Sequence, residues 1–213
     1  VPANPSGKVF TKQELELIAD FAKRHDLFVF TDEIYEYFLY DGRKHISPAT
    51  LPGMADRTIA LMSFSKTFAW TGCRAGYCIA SPEITGLLNN VPIGIIGMPV
   101  PFQYAGAAAL EKGWGFVKKM RKEYKKRIDF SVKRLNEIKG INCPYPEGTF
   151  YVFPDISAVG MPSAKFAQEL VLQEKVRGAP GTGYGTAAEG HIRFALVDSM
   201  ERLEEAFNRV EHF

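Results

Sequence analysis

The chain has 213 residues, 46% of them apolar and 23% charged, an ordinary balance for a soluble globular protein with room for one large or two small domains. That balance argues against a disordered or membrane-spanning chain, since no apolar run approaches the ~20 residues of a spanning helix, and a net charge of +2 gives no reason to expect nucleic acid. Val1-Pro2-Ala3-Asn4-Pro5 lacks the basic and apolar regions of a signal peptide, and Cys73, Cys78 and Cys143 form no C-x-x-C, so a cytoplasmic protein with buried thiols is expected rather than a disulfide framework or a zinc site.

Val1 to Gly7 reads as a loop leaving a strand that the chain does not contain. Thr11 and Glu14 predict a capping box, and Leu15, Ile18, Ala19 and Ala22 the buried stripe of a helix ending near His25-Asp26. Leu27-Phe28-Val29-Phe30, Thr58-Ile59-Ala60-Leu61-Met62 and Ala75-Gly76-Tyr77-Cys78-Ile79 predict three strands, the first two of the kind covered on both faces in a parallel sheet. Ser81-Pro82 then opens another helix. Asp32 and Ser63 stand at strand carboxyl ends, where open α/β sheets bind ligands, so the sequence places both on one rim.

Asn89 to Pro101 has no clear period and reads as irregular structure over or beside that rim. A helical pattern begins near Phe102, and Phe116 to Lys139 predicts a long helix stopped by Gly140, bridging two domains. Its outer face is rich in Lys and Arg, which reads as a solvated face before an acidic-partner surface. A turn at Pro146-Glu147-Gly148, a strand over residues 149–153, a helix capped by Ser163, a strand at His191-Ile192-Arg193-Phe194-Ala195-Leu196 and a last helix from Ser199 make a smaller α+β unit. Phe150, Tyr151 and Phe153 are expected in its core.

Lys66 lies just past an apolar strand, with Ser63 three residues before it and Arg74 eight after. An aldehyde cofactor with a phosphate tail needs such a set: an amine to condense with the aldehyde, and a hydroxyl and a guanidinium for the phosphate. The ordinary alternative is an exposed lysine in a strand-to-helix turn. Ser63 and Lys66 also spell S-x-x-K, but the S-D-N and K-T-G companions of that hydrolase motif are missing. Gly181, Gly183 and Gly185 lack a Walker lysine and read as a backbone turn, and no histidine has metal-ligand spacing.

Asn4-Pro5-Ser6-Gly7, Asp32-Glu33-Ile34-Tyr35, Ser63-Phe64-Ser65-Lys66, Arg74-Ala75-Gly76-Tyr77, Pro146-Glu147-Gly148-Thr149-Phe150-Tyr151 and His191-Ile192-Arg193 together resemble the ordered motifs of class I/II aminotransferases. These are pyridoxal-phosphate enzymes of fold type I, and the resemblance is to the prokaryotic aspartate aminotransferase branch. It implies an α/β fold: part of the large cofactor domain, a parallel-rich sheet flanked by helices, over residues 1–120, and a smaller α+β domain over residues 121–213.

The resemblance implies that Lys66 is the Schiff-base lysine and the proton carrier, and that Asp32 pairs with the pyridine nitrogen. Tyr35 and Asn4 would donate to the phenolic oxygen, Ser63 and Arg74 would bind the phosphate, and Arg193, together with Asn4, would take the substrate carboxylate. Amino acids, aspartate among them, and 2-oxo acids are the implied substrates, and a homodimer the implied assembly, with neither nucleic acid nor membrane as partner. Taken singly, Asp32, Tyr35 and Arg193 each also have an ordinary structural reading.

Trp70 and Cys73 depart from the family pattern beside Arg74, so different local packing is expected there. Family members also carry a long N-terminal portion before the Asn4 motif; these residues alone are expected to expose a sheet edge and turn over weakly or not at all. The rival readings are a β-lyase of the same fold acting on sulfur amino acids, whose branch usually has His in place of Tyr35, and an inactive fragment or binding module using the basic helix.

Overall fold

A computed structural model describes residues 1–91 and 97–213. The chain divides into two compact units, one of Val1–Pro2 and Val9–Met120, the other of Ala3–Lys8 and Arg121–Phe213. Residues 3–8 thus count with the second unit, although a division at residue 120 puts them in the first.

In the first unit, helix α1 (Lys12–Arg24) starts at the capping box: the Thr11 hydroxyl accepts from the Glu14 N–H at 3.3 Å, and the Glu14 carboxylate accepts from the Thr11 N–H at 2.8 Å. Leu15, Ala19 and Ala22 pack on Leu51, Met54 and Val29. Ile18, expected in that stripe, is exposed, because the packed row runs through 15, 19 and 22 and Ile18 sits one residue round the helix from it.

Strand β1 (Val29–Asp32) begins later than the apolar run suggests. Asp26 takes a left-handed φ of 48° and the Leu27 N–H bonds to the Ala22 carbonyl, so helix exit consumes Leu27 and Phe28. β1 pairs in parallel with β2 (Thr58–Ser63), which pairs antiparallel with β3 (Gly76–Ile79), in the order β1-β2-β3. The antiparallel pair follows from its connection: Phe64–Ala75 holds one helical turn, α2 (Phe64–Thr67), and a 3-10 turn, too little to cross the sheet. Coverage on both faces is not met among the described residues, since Phe30 is 67% exposed and all of β3 is exposed.

Ser81 caps α3 (Pro82–Leu88), accepting from the Ile84 N–H at 3.3 Å. Of the stretch expected to be irregular, residues 92–96 lie outside the described residues, and α4 (Val100–Lys112) begins two residues before the periodic pattern. The long helix is α5 (Trp114–Asn136), whose Val117 joins Phe64, Phe68 and Ala75 in a core bordered by Tyr37, Trp70 and Trp114. That core lies under α2, the turn that carries Lys66. No helix among the described residues is long and apolar enough to cross a membrane.

The second unit holds the later turns of α5, β4 (Tyr151–Val152), α6 (Ser163–Glu174), β5 (Ala179–Pro180), β6 (Ile192–Ala195) and α7 (Met200–His212). β6 is central, antiparallel to both neighbours. Ile128, Leu135, Val152, Leu170, Ile192 and Leu196 are fully buried, each worth about 1.5–3 kcal/mol of transfer from water. Acidic neighbours take up part of the basic face of α5: Lys125 bonds to Asp129 at 2.7 Å, and Arg127 to Glu123 at 3.3 Å. Ser163 does not cap α6 but is its first residue; the Glu189 carboxylate takes over the capping, accepting from both the Ser163 N–H and its hydroxyl at 2.8 Å.

Candidate functional site

Register brings four of the expected residues to one edge of the first sheet. Asp32 ends β1 opposite Leu61, so β2 continues past it to Ser63. Ser63 pairs with Gly76, and because β3 runs antiparallel, Arg74 precedes that strand at the same end. Asp32, Ser63, Lys66 and Arg74 therefore share one rim, at the carboxyl ends of the two parallel strands. Gly76 cannot be replaced here without a shift, since a Cβ would meet the Met62 carbonyl oxygen at 2.8 Å.

Asp32 is exposed, and its Oδ1 accepts from the Ile34 N–H at 3.2 Å, so the carboxylate is aimed by its own turn. The Ser63 hydroxyl caps α2 by accepting from the Ser65 N–H at 3.0 Å, which turns the chain and leaves Lys66 half-buried on that turn. Arg74 is exposed, takes a left-handed φ of 49° and donates to the Thr71 carbonyl at 2.9 Å. A non-glycine residue held there costs on the order of 1 kcal/mol or more, and it projects a guanidinium from the rim. Trp70 stacks on Phe64 at 5.7 Å, and it and Cys73 border the apolar core. Tyr35 is 4% exposed, with its ring edge-on to Phe38 at 6.3 Å.

Beside Asp32 lies a polar cluster that the sequence did not disclose. Glu33 is fully buried; its carboxylate meets His45 Nε2 at 2.5 Å and accepts from the Ser47 hydroxyl at 2.7 Å. His45 Nδ1 is buried without a partner among the described residues. Glu36 stands close by, its carboxyl pushed up to about 7, chiefly by burial, with His45 opposing and Glu33 reinforcing the shift. Burial costs the charged form, so the protonated Glu36 favours folding. Its contribution is complete below the ordinary value of 4.5 and lost as pH rises through about 7. Glu36→Gln is expected to abolish this part of the pH dependence, raising the urea midpoint at about pH 8 while leaving it nearly unchanged at about pH 4; equal midpoint shifts at both pH values would contradict it.

The second unit joins Asn4 to Arg193. Arg193, on β6, donates from Nη1 to Asn4 Oδ1 at 2.8 Å. Asn4 is held by the turn that follows it: Gly7 takes φ 70°, its carbonyl accepts from the Gly148 N–H at 2.8 Å, and a Cβ there would lie 2.5 Å from Pro146 Cβ. The two motifs are thereby locked together. The Arg193 guanidinium carbon lies 4.4 Å over the Tyr151 ring and 5.3 Å over the Tyr184 ring, and its Nε is buried without a partner among the described residues. Tyr151 is buried as expected of core, yet it also touches the arginine. The sequence marks Tyr184 only as an aromatic among the glycines at 181, 183 and 185; it ends the 3-10 turn that follows the strand paired with β6.

Of the three cysteines, Cys143 is buried, its thiol pushed up to about 12 by burial, whereas Cys73 is half-buried and Cys78 exposed. Cys78 corrects the expectation of buried thiols, because β3 has no covering layer among the described residues. Chemically, the first unit offers an amine, a carboxylate, a hydroxyl and a guanidinium on one rim. The second offers an arginine with an unspent buried N–H.

The sequence profile of the family Aminotransferase class I and II matches residues 1–210. The chain is 45% identical over 213 residues to aromatic-amino-acid aminotransferase 2 of Thermococcus litoralis, covering 99% of this chain and 54% of that protein. It is likewise 45% identical to an aspartate aminotransferase of Pyrococcus abyssi, with the same coverage. Among solved structures, a PLP-bound aminotransferase of Clostridium difficile 630 superposes with a TM-score of 0.93 at 29% identity, over 99% of this chain and 56% of that one. The chain spans about half the length of the curated relatives it matches.

Proposed function

The chain belongs to the class I and II aminotransferases, and from that premise we propose that its parent protein exchanges an amino group between an amino acid and a 2-oxo acid with pyridoxal phosphate as cofactor. The observation that carries the proposal is the shared rim of Asp32, Ser63, Lys66 and Arg74, fixed by the β1-β2-β3 register. The residues fit the group. Arg74 is exposed and held in a left-handed conformation, the Ser63 hydroxyl donates to the carbonyl of the adjacent Ala75 at 3.4 Å, and an acid stands at the neighbouring strand end.

When bound, the cofactor supplies an aldehyde carbon that takes up an amine and a ring that withdraws electrons. Arg74 and Ser63 bind its phosphate, the guanidinium by charge-assisted hydrogen bonds. Asp32 would hold a proton on the ring nitrogen by an ion pair, and the Tyr35 hydroxyl would donate to the phenolic oxygen. Lys66 would hold the aldehyde end and, once the substrate amine has displaced it, would take the proton from the substrate Cα. In the second unit, Arg193 receives the substrate α-carboxylate, with its geometry fixed by Asn4 Oδ1.

The first unit then corresponds to part of the cofactor domain and the second to the small domain. The relatives named above act, by their names, on aromatic amino acids and on aspartate, and aspartate is the donor we propose to assay first. Cytoplasmic residence and a homodimeric parent belong to the same proposal, on the ground of the family resemblance. The test is to add pyridoxal phosphate to the full-length protein, record the visible absorbance of bound cofactor and assay 2-oxo-acid-dependent amino transfer. No spectral change, or ammonia release without any need for a 2-oxo acid, would overturn the reading.

A further inference from the structure

We propose that Tyr184 sets the affinity of the second unit for carboxylates by holding its ring against the Arg193 guanidinium; this rests on the reading of Arg193 as the carboxylate receptor. The Arg193 guanidinium carbon lies over both tyrosine rings, at 4.4 Å from the Tyr151 centroid and 5.3 Å from that of Tyr184. Tyr151 comes from β4, where it pairs with Ala195, two residues along β6 from Arg193. Tyr184 comes from the other side of β6: Ala179 of β5 pairs with Arg193, and the chain then enters the 3-10 turn Gly181–Tyr184.

Tyr184 is itself braced. Its ring meets Phe153 edge-on at 6.1 Å, and Phe153 stacks on His191 at 4.9 Å. The Gly181 N–H donates to the His191 carbonyl at 2.8 Å, tying the start of the turn to the β6 strand.

Two ring faces carrying negative quadrupole charge attract the guanidinium and keep water from it. Two of its donors differ: Nη1 is spent on Asn4, while Nε is buried with no acceptor among the described residues. A buried N–H lacking an acceptor is costly to leave unmade, so an oxygen that can reach it is favoured. The rings also remove side-chain freedom from the arginine before any ligand arrives, which lowers what binding must otherwise overcome. Tyr184 acts through the arginine that it touches. It is a positioning residue, and its effect falls equally on every amino acid and 2-oxo acid.

The test uses acetate as probe, titrated into the full chain without added cofactor and followed by titration calorimetry, with the Arg193 Nε–H NMR resonance as a second readout in the variants that keep that arginine. Tyr184→Ala and Tyr184→Leu are expected to weaken acetate binding about tenfold, and Tyr184→Phe by no more than about twofold. The leucine variant keeps bulk against Phe153 without a ring face, so its thermal midpoint should stay near that of the parent. In the cofactor-loaded full-length protein the donor KM should rise by a similar factor, with kcat changed less.

Unaltered acetate affinity in the alanine and leucine variants overturns the inference, as does a phenylalanine variant as weak as alanine, which would put the effect on the hydroxyl. Arg193→Lys separates the two levels. If it binds acetate as tightly as the parent, the carboxylate reading fails and this inference with it. If it binds weakly while the Tyr184 variants are unaffected, only the inference fails.

Discussion

Lys66→Ala in the full-length protein is expected to lower amino transfer by at least about 10³-fold, because under the proposed function it removes the proton carrier as well as the amine that holds the aldehyde. The fold should survive. Lys66 is half-buried on α2, while the neighbouring Phe64 and Thr67 are the buried residues of that turn and Phe64 is the one in the aromatic core. Thermal unfolding should therefore change little while turnover collapses, and the visible absorbance of bound cofactor should change with it. Lys66→Arg is the sharper variant. It keeps a cation in place, but a guanidinium cannot be deprotonated in the working range, so charge alone predicts rescue and proton transfer predicts none. Turnover in Lys66→Arg within about tenfold of the parent would remove Lys66 from the chemistry.

The rim was legible because it lies where local pattern is strongest. Asp32, Ser63 and Arg74 each border a strand or a strand-to-helix turn, and the end of a short apolar run can be read without knowing what pairs with it. The orientation of β3 was not legible, because the pattern of Gly76–Ile79 is the same whichever way the strand runs; the shortness of Phe64–Ala75 was the available signal. Arg193 was singled out, but its tyrosine neighbours were not: contacts across β4 and β5 depend on register. Glu33 hid for a different reason. Its partners His45 and Ser47 stand across a loop with no motif to mark them. Alternation offered a clue, since an outward Asp32 between buried Thr31 and Glu33 requires Glu33 to point inward. A buried acid requires donors.

His45→Ala should destabilise the protein by about 3–5 kcal/mol, since it leaves the fully buried Glu33 carboxylate with Ser47 as its remaining side-chain donor among the described residues. At this chain length that is a fall of about 10 °C in Tm. Glu33→Gln should cost less, because an amide can still bond to Ser47 and leaves no buried charge. The double variant should cost less than the sum, as expected of groups in one network. Additive losses, or a His45→Ala loss under about 1 kcal/mol, would show that the cluster is not the anchor described here. The consequence for the rim follows from strand geometry. Asp32 and Glu33 are adjacent acids on opposite faces, and a one-residue slip of β1 against β2 would exchange them. Only Glu33 finds His45 and Ser47 inside, and its own N–H is tied to the Leu61 carbonyl at 2.9 Å. The buried network thus selects the register that turns Asp32 outward, and cofactor affinity should fall in His45→Ala even at temperatures where the protein remains folded.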